Sequence, residues 1–137
     1  MKPLVIDASV VLKWYLTNEE YGERALNLLS KYISNELDLL APSLLEYEVV
    51  NGLTIAQKRG RIKEENILLA IDGFIDLKIK LKDLSQFYAG VLYYCKVYNR
   101  SVYDASYLAV AESEGIAMIF HQRFNVQTSG CVKSQKV

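Results

Sequence analysis

The sequence predicts an α/β protein built on a parallel sheet with helices on both faces, and three observations lead there. Short apolar runs alternate with segments of helical periodicity from one end of the chain to the other. The first run, Leu4-Val5-Ile6, is apolar without alternation, as in a strand buried on both faces, and it stops on Asp7. No internal repeat divides the chain. Its 137 residues amount to one domain over 1–137, long enough to bury roughly two-thirds of its unfolded surface.

After the first strand, Val10, Val11, Trp14 and Tyr15 fall at helical spacing, and a second helix is predicted from Glu19 to Ile33 with Ala25, Leu28, Leu29 and Tyr32 on one side. Leu37 to Ala41 is the second strand, closed by Pro42. Ser43-Leu44-Leu45-Glu46 has the form of a capping box, so a helix should open there and run to Arg59, stopping at Gly60. Glu64 to Ile75 is helical. Leu77 to Leu81 alternates apolar residues with lysine as a half-exposed strand does, and Leu84 to Tyr98 returns to helical spacing. Ser101-Val102-Tyr103-Asp104 is a second capping pattern, opening a helix to Glu114 that Gly115 ends. Ile116 to Phe120 is the last clear strand. Beyond it only Cys131-Val132-Lys133 has strand character, and the last ten residues are expected to be frayed.

Composition excludes several classes. Sixteen basic and sixteen acidic side chains cancel, so the molecule offers no broad positive field, and any nucleic-acid site must be local. Cys95 and Cys131 lack metal-ligand spacing and suit a reducing, cytoplasmic setting. No apolar stretch approaches the roughly 20 residues that span a bilayer, and the N-terminus has no signal-like apolar core, so neither a membrane nor an export role is expected.

The acids carry the chemistry. In open α/β sheets the ligand crevice lies beyond the carboxyl ends of the strands, which is where Asp7 falls. An Asp there also caps the following helix, and that alternative stands on its own. Glu48, in the second turn of the helix after strand two, should lie on the same side of the sheet. It sits among Leu44, Leu45, Val49 and Val50, a poor place for an acid with no partner. Glu46, two residues away, faces elsewhere and has its capping role. Asp104 opens a helix, where capping and the helix dipole account for it equally well. Two helices separate strands three and four, so spacing leaves open which edge of the sheet carries it.

Three segments together resemble the PIN domain of the VapC toxin type. They are Val5-Ile6-Asp7-Ala8-Ser9-Val10 with Lys13-Trp14, Leu45-Glu46-Tyr47-Glu48-Val49-Val50-Asn51-Gly52-Leu53, and Ser101-Val102-Tyr103-Asp104-Ala105-Ser106-Tyr107-Leu108-Ala109. The resemblance implies a compact α/β/α sandwich around a parallel sheet of four or five strands. It implies a ribonuclease, the toxin of a toxin–antitoxin pair, whose acids hold Mg²⁺ or Mn²⁺. Asp7 and Asp104 match the metal-holding aspartates, Glu48 the helix glutamate, and Ser9 a hydroxyl residue supporting the first aspartate. A homodimer, an RNA substrate and a cognate antitoxin are the implied partners. A hard cation activates water and stabilises phosphate charge, and it makes a cluster of carboxylates tolerable.

One position departs from the pattern. Where the family usually carries an aspartate after the last main strand, this chain reads Ile119-Phe120-His121-Gln122-Arg123-Phe124. A neutral imidazole adds no negative charge and suits Mn²⁺ better than Mg²⁺. His121 is therefore a further candidate ligand, and also the reason for an alternative: a weakened module that binds antitoxin or RNA without efficient cleavage. Lys13, less than two helical turns from Asp7, is a candidate phosphate contact. Lys58, Arg59, Arg61 and Lys63 form a basic cluster around Gly60. The tyrosine-rich helices from Tyr88 to Tyr98 and Tyr103 to Tyr107 are candidate dimer surfaces, with packing inside the domain as the competing explanation.

Overall fold

The computed structural model describes residues 2–120 and 133–136. Strand β1 (Lys2–Ile6) leads into α1 (Ala8–Tyr15) and α2 (Gly22–Ile33), then β2 (Leu37–Pro42), α3 (Leu45–Lys58), α4 (Glu64–Asp76) and the short β3 (Lys80–Lys82). A 3-10 turn (Leu84–Gln86) precedes α5 (Tyr88–Tyr98) and α6 (Val102–Glu114), and β4 (Ala117–Phe120) and β5 (Lys133–Lys136) follow. The strands form one sheet in the order β3-β2-β1-β4-β5, every neighbouring pair parallel, with Val5 opposite both Leu40 and Met118. Val5 and Ile6 are wholly buried, as an apolar run in the central strand of a two-sided sheet requires.

Parallel crossovers are right-handed, so connections that step in one direction across the sheet lie on one face and those that step back lie on the other. β1 to β2 to β3 step one way, which puts α1, α2, α3 and α4 in one layer; there α1 packs on α2 and α3. β3 to β4 steps back, which puts α5 and α6 in the opposite layer, and α6 lies against β1, β2 and β4. Gly52 of α3 lets α1 come close: a Cβ at that position would fall on the Leu12 side chain, 2.9 Å from Cδ2. In the other layer Tyr94 is buried between α5 and α6. Burial first, and then a hydrogen bond to Glu112, hold its phenol above the usual tyrosine range.

Several expectations are corrected. α3 opens at Leu45 with no side-chain cap, because Ser43 is still tied to the neighbouring strand: its amide donates to the Lys82 carbonyl at 2.8 Å. The second cap forms as expected, Ser101 Oγ accepting from the Asp104 amide at 3.1 Å. α2 starts at Gly22 rather than Glu19, after Tyr21 in a left-handed conformation. β3 covers only Lys80–Lys82, since Lys78 has a φ of 53° and cannot extend the strand. The terminal residues expected to fray include a strand, Lys133–Lys136, paired with β4. Its polar sequence carries no strand pattern; the open backbone edge of β4 provides the pairing, and lysines are the side chains edges favour. Cys131, Val132 and His121 lie outside the described residues.

Candidate active site

Asp7 is the residue at which β1 stops, and its side chain is wholly buried. Oδ1 caps α1 by accepting from the Val10 amide at 3.2 Å, and it also accepts the Ser9 hydroxyl at 2.5 Å. The capping alternative is thus present in the structure, on a side chain that also sits at the strand end. Oδ1 is held by the first turn of α1, while Oδ2 is a second oxygen buried away from solvent.

The edge that carries Asp104 is settled by connectivity. α6 enters β4 through Gly115 and Ile116 alone, and β4 runs parallel to β1. A helix joined so tightly to the next strand runs antiparallel to it. Its N-terminus, with Asp104 in the first turn, therefore lies at the end of the sheet where Asp7 sits. Asp104 Oδ1 is likewise buried. β1 is also where the strand order reverses, because β1 feeds β2 on one side and pairs with β4 on the other, the place at which doubly wound sheets bind ligands.

Glu48 has the partner its apolar neighbours call for. Its Oε1 accepts the hydroxyl of Tyr107 at 2.6 Å, while Glu46 is exposed. Helices on opposite faces of a sheet can bond to each other only beyond the strand ends, so this contact between α3 and α6 bridges the two layers over the carboxyl edge. Tyr107 itself is wholly buried, so for this residue packing inside the domain holds and not the dimer surface; Tyr103 is 61% exposed. The sequence signal for Tyr107 was its place three residues after Asp104, on the same helix face.

Lys13 is also corrected. The residue is 5% exposed, and its ammonium donates to the Glu20 carbonyl at 2.6 Å, tying α1 to the loop before α2. In the basic cluster, Arg61 is engaged by Glu19 at 3.3 Å and the Thr17 carbonyl at 3.1 Å. Among the described residues no three His, Cys, Asp or Glu side chains are arranged as a metal cage. The structure brings Asp7 and Asp104 to one edge of the sheet and fixes Glu48 over that edge.

The sequence profile of the PIN domain matches residues 4–122. The chain belongs to the PIN domain family. Solved structures share its fold. VapBC2 from Rickettsia felis, crystallised with a DNA fragment from its promoter, is 12% identical, with a TM-score of 0.68 and 98% of each chain covered. A Pyrobaculum aerophilum protein is 22% identical, with a TM-score of 0.69 over 96% of this chain and 83% of its own. VapC20 from Mycobacterium tuberculosis, a toxin that cleaves the sarcin-ricin loop, is 12% identical, with a TM-score of 0.62 over 84% of this chain and 86% of its own. No curated protein matches the sequence. The likeness is therefore one of architecture: the chain shares its fold with these structures.

Proposed function

We propose that the protein is a metal-dependent endoribonuclease acting as the toxin of a toxin–antitoxin pair. The observation that carries this reading is the presence of two aspartates, Asp7 and Asp104, each with a buried carboxylate oxygen, at the switch point of a PIN sheet. Carboxylate oxygens are hard donors of the kind that suit Mg²⁺ or Mn²⁺. The lack of a three-acid cage is compatible with such a cation, because Mg²⁺ keeps several waters and is commonly held by one or two carboxylates together with substrate phosphates. When bound, the ion would supply an activated water and charge stabilisation for the phosphodiester.

The chain's own residues account for the rest. Ser9 and the Val10 amide hold Asp7 through Oδ1 and so fix the orientation of its carboxylate at the strand end. Ser101 fixes the start of α6 and with it the position of Asp104. Glu48 adds negative charge at the rim. An antitoxin, as the VapBC resemblance implies, would inhibit by presenting a basic group to these acids in competition with the cation. A homodimer through α5 is part of the same proposal.

The test is cleavage of a structured RNA by purified protein in Mg²⁺ or Mn²⁺. Cleavage should stop with a chelator, and Asp7→Asn or Asp104→Asn should lower the rate by about 100-fold or more while the protein stays folded. Undiminished cleavage by Asp7→Asn contradicts the reading. The weakened-module alternative rests on His121 in the sequence, and His121→Asp decides it: a large gain in cleavage means the natural site is impaired, and no gain means position 121 is dispensable.

A further inference from the structure

We infer that Tyr107 is a positioning residue of this site, holding Glu48 over the carboxyl edge of the sheet so that it serves the bound cation; the inference rests on the ribonuclease reading. Tyr107 is wholly buried, and the only polar atom of its side chain donates to Glu48 Oε1 at 2.6 Å. A phenol in the core needs such a bond, and an ionised acceptor makes it a strong one. A packing role alone would be served as well by phenylalanine.

Three features make the contact more than packing. It joins residues 59 apart, on helices in opposite layers, and so fixes the spacing of α3 and α6 across the site. Tyr107 lies three residues after Asp104 on one helix face, so whatever orients Tyr107 ties Glu48 to the frame that carries Asp104. The donor is neutral. A lysine or arginine in its place would hold Glu48 equally firmly but cancel the charge a cation needs, whereas a hydroxyl orients the carboxylate and leaves its charge intact. Ser9 treats Asp7 in the same way.

Tyr107→Phe deletes the hydroxyl and keeps the ring. Mn²⁺ titrated into protein without RNA, followed by calorimetry or by the Mn²⁺ spin signal, should bind about tenfold more weakly, the effect of one hydrogen bond to a charged group. The Mg²⁺ concentration for half-maximal cleavage should rise by a similar factor, with the rate at saturating Mg²⁺ changed little. In a Glu48→Gln background, Tyr107→Phe should add no further loss of Mn²⁺ affinity. A purely structural tyrosine would lower the melting temperature and leave the Mn²⁺ constant in place. Unchanged Mn²⁺ affinity in Tyr107→Phe, with Asp7→Asn abolishing binding, overturns the inference and spares the ribonuclease reading. Wild-type protein that neither binds Mn²⁺ nor cleaves RNA overturns both. Should Tyr107→Phe fold poorly, Glu48→Gln tests the link from the other side: Mn²⁺ affinity equal to wild type there also overturns it.

Discussion

Neutral hydroxyls hold two of the three acids at this site, and Lys13, the one buried cation among the described residues, is engaged elsewhere. Ser9 donates to Asp7 and Tyr107 to Glu48, while Lys13 donates to the Glu20 carbonyl. Lys13→Ala should therefore cost stability, about 1–3 kcal/mol for a buried hydrogen bond to a charged group plus its packed stem, as read by urea unfolding. Its KM for RNA should stay at the wild-type value. A raised KM with unaltered stability would restore Lys13 as a phosphate contact. Asp7, Glu48 and Asp104 were legible in the sequence because acids at a strand end, among apolar residues and at a helix start are each locally conspicuous. Tyr107 was not, since nothing local to one tyrosine among 10 says that its hydroxyl meets a glutamate 59 residues away.

At the scale of elements, α5 is the helix whose surface is least explained by its own fold. Tyr88, Leu92, Tyr93 and Val97 are each at least half exposed, in two rows at i, i+4 spacing, although Val91 and Tyr94 already give the helix a buried side. Apolar rows of this kind on a surface mark an interface. With the proposed homodimer as occupant, Leu92→Glu should weaken self-association by about tenfold or more, seen as a shift from dimer to monomer in sedimentation. Wild-type protein that sediments as a monomer at every concentration would count against it. Long helices were read well from the sequence because periodicity over ten or more residues is a strong signal; short or capped features were not. Ser43 looks like a cap until a backbone bond to Lys82 from another strand claims it, and Lys133–Lys136 becomes a strand through the edge it meets rather than through its side chains.

At the scale of the molecule, topology turns separate motifs into one site. The apolar runs and helical stretches predicted a parallel sheet with helices on both faces, and the all-parallel sheet β3-β2-β1-β4-β5 bears that out. Which edge carries Asp104 was invisible in the sequence, because α5 and α6 together occupy one crossover and their directions depend on packing. The parallel pairing of β4 with β1 decides it. No described helix is long and apolar enough to cross a membrane. The central claim is that this edge binds one divalent cation through Asp7 and Asp104. A crystal of the protein grown with Mn²⁺ tests it most directly, by the anomalous scattering of the ion. The account predicts a single strong peak at carboxylate-bonding distance from Asp7 and Asp104, lost in Asp7→Asn; Mn²⁺ found only elsewhere on the protein, with these carboxylates unliganded, would contradict it.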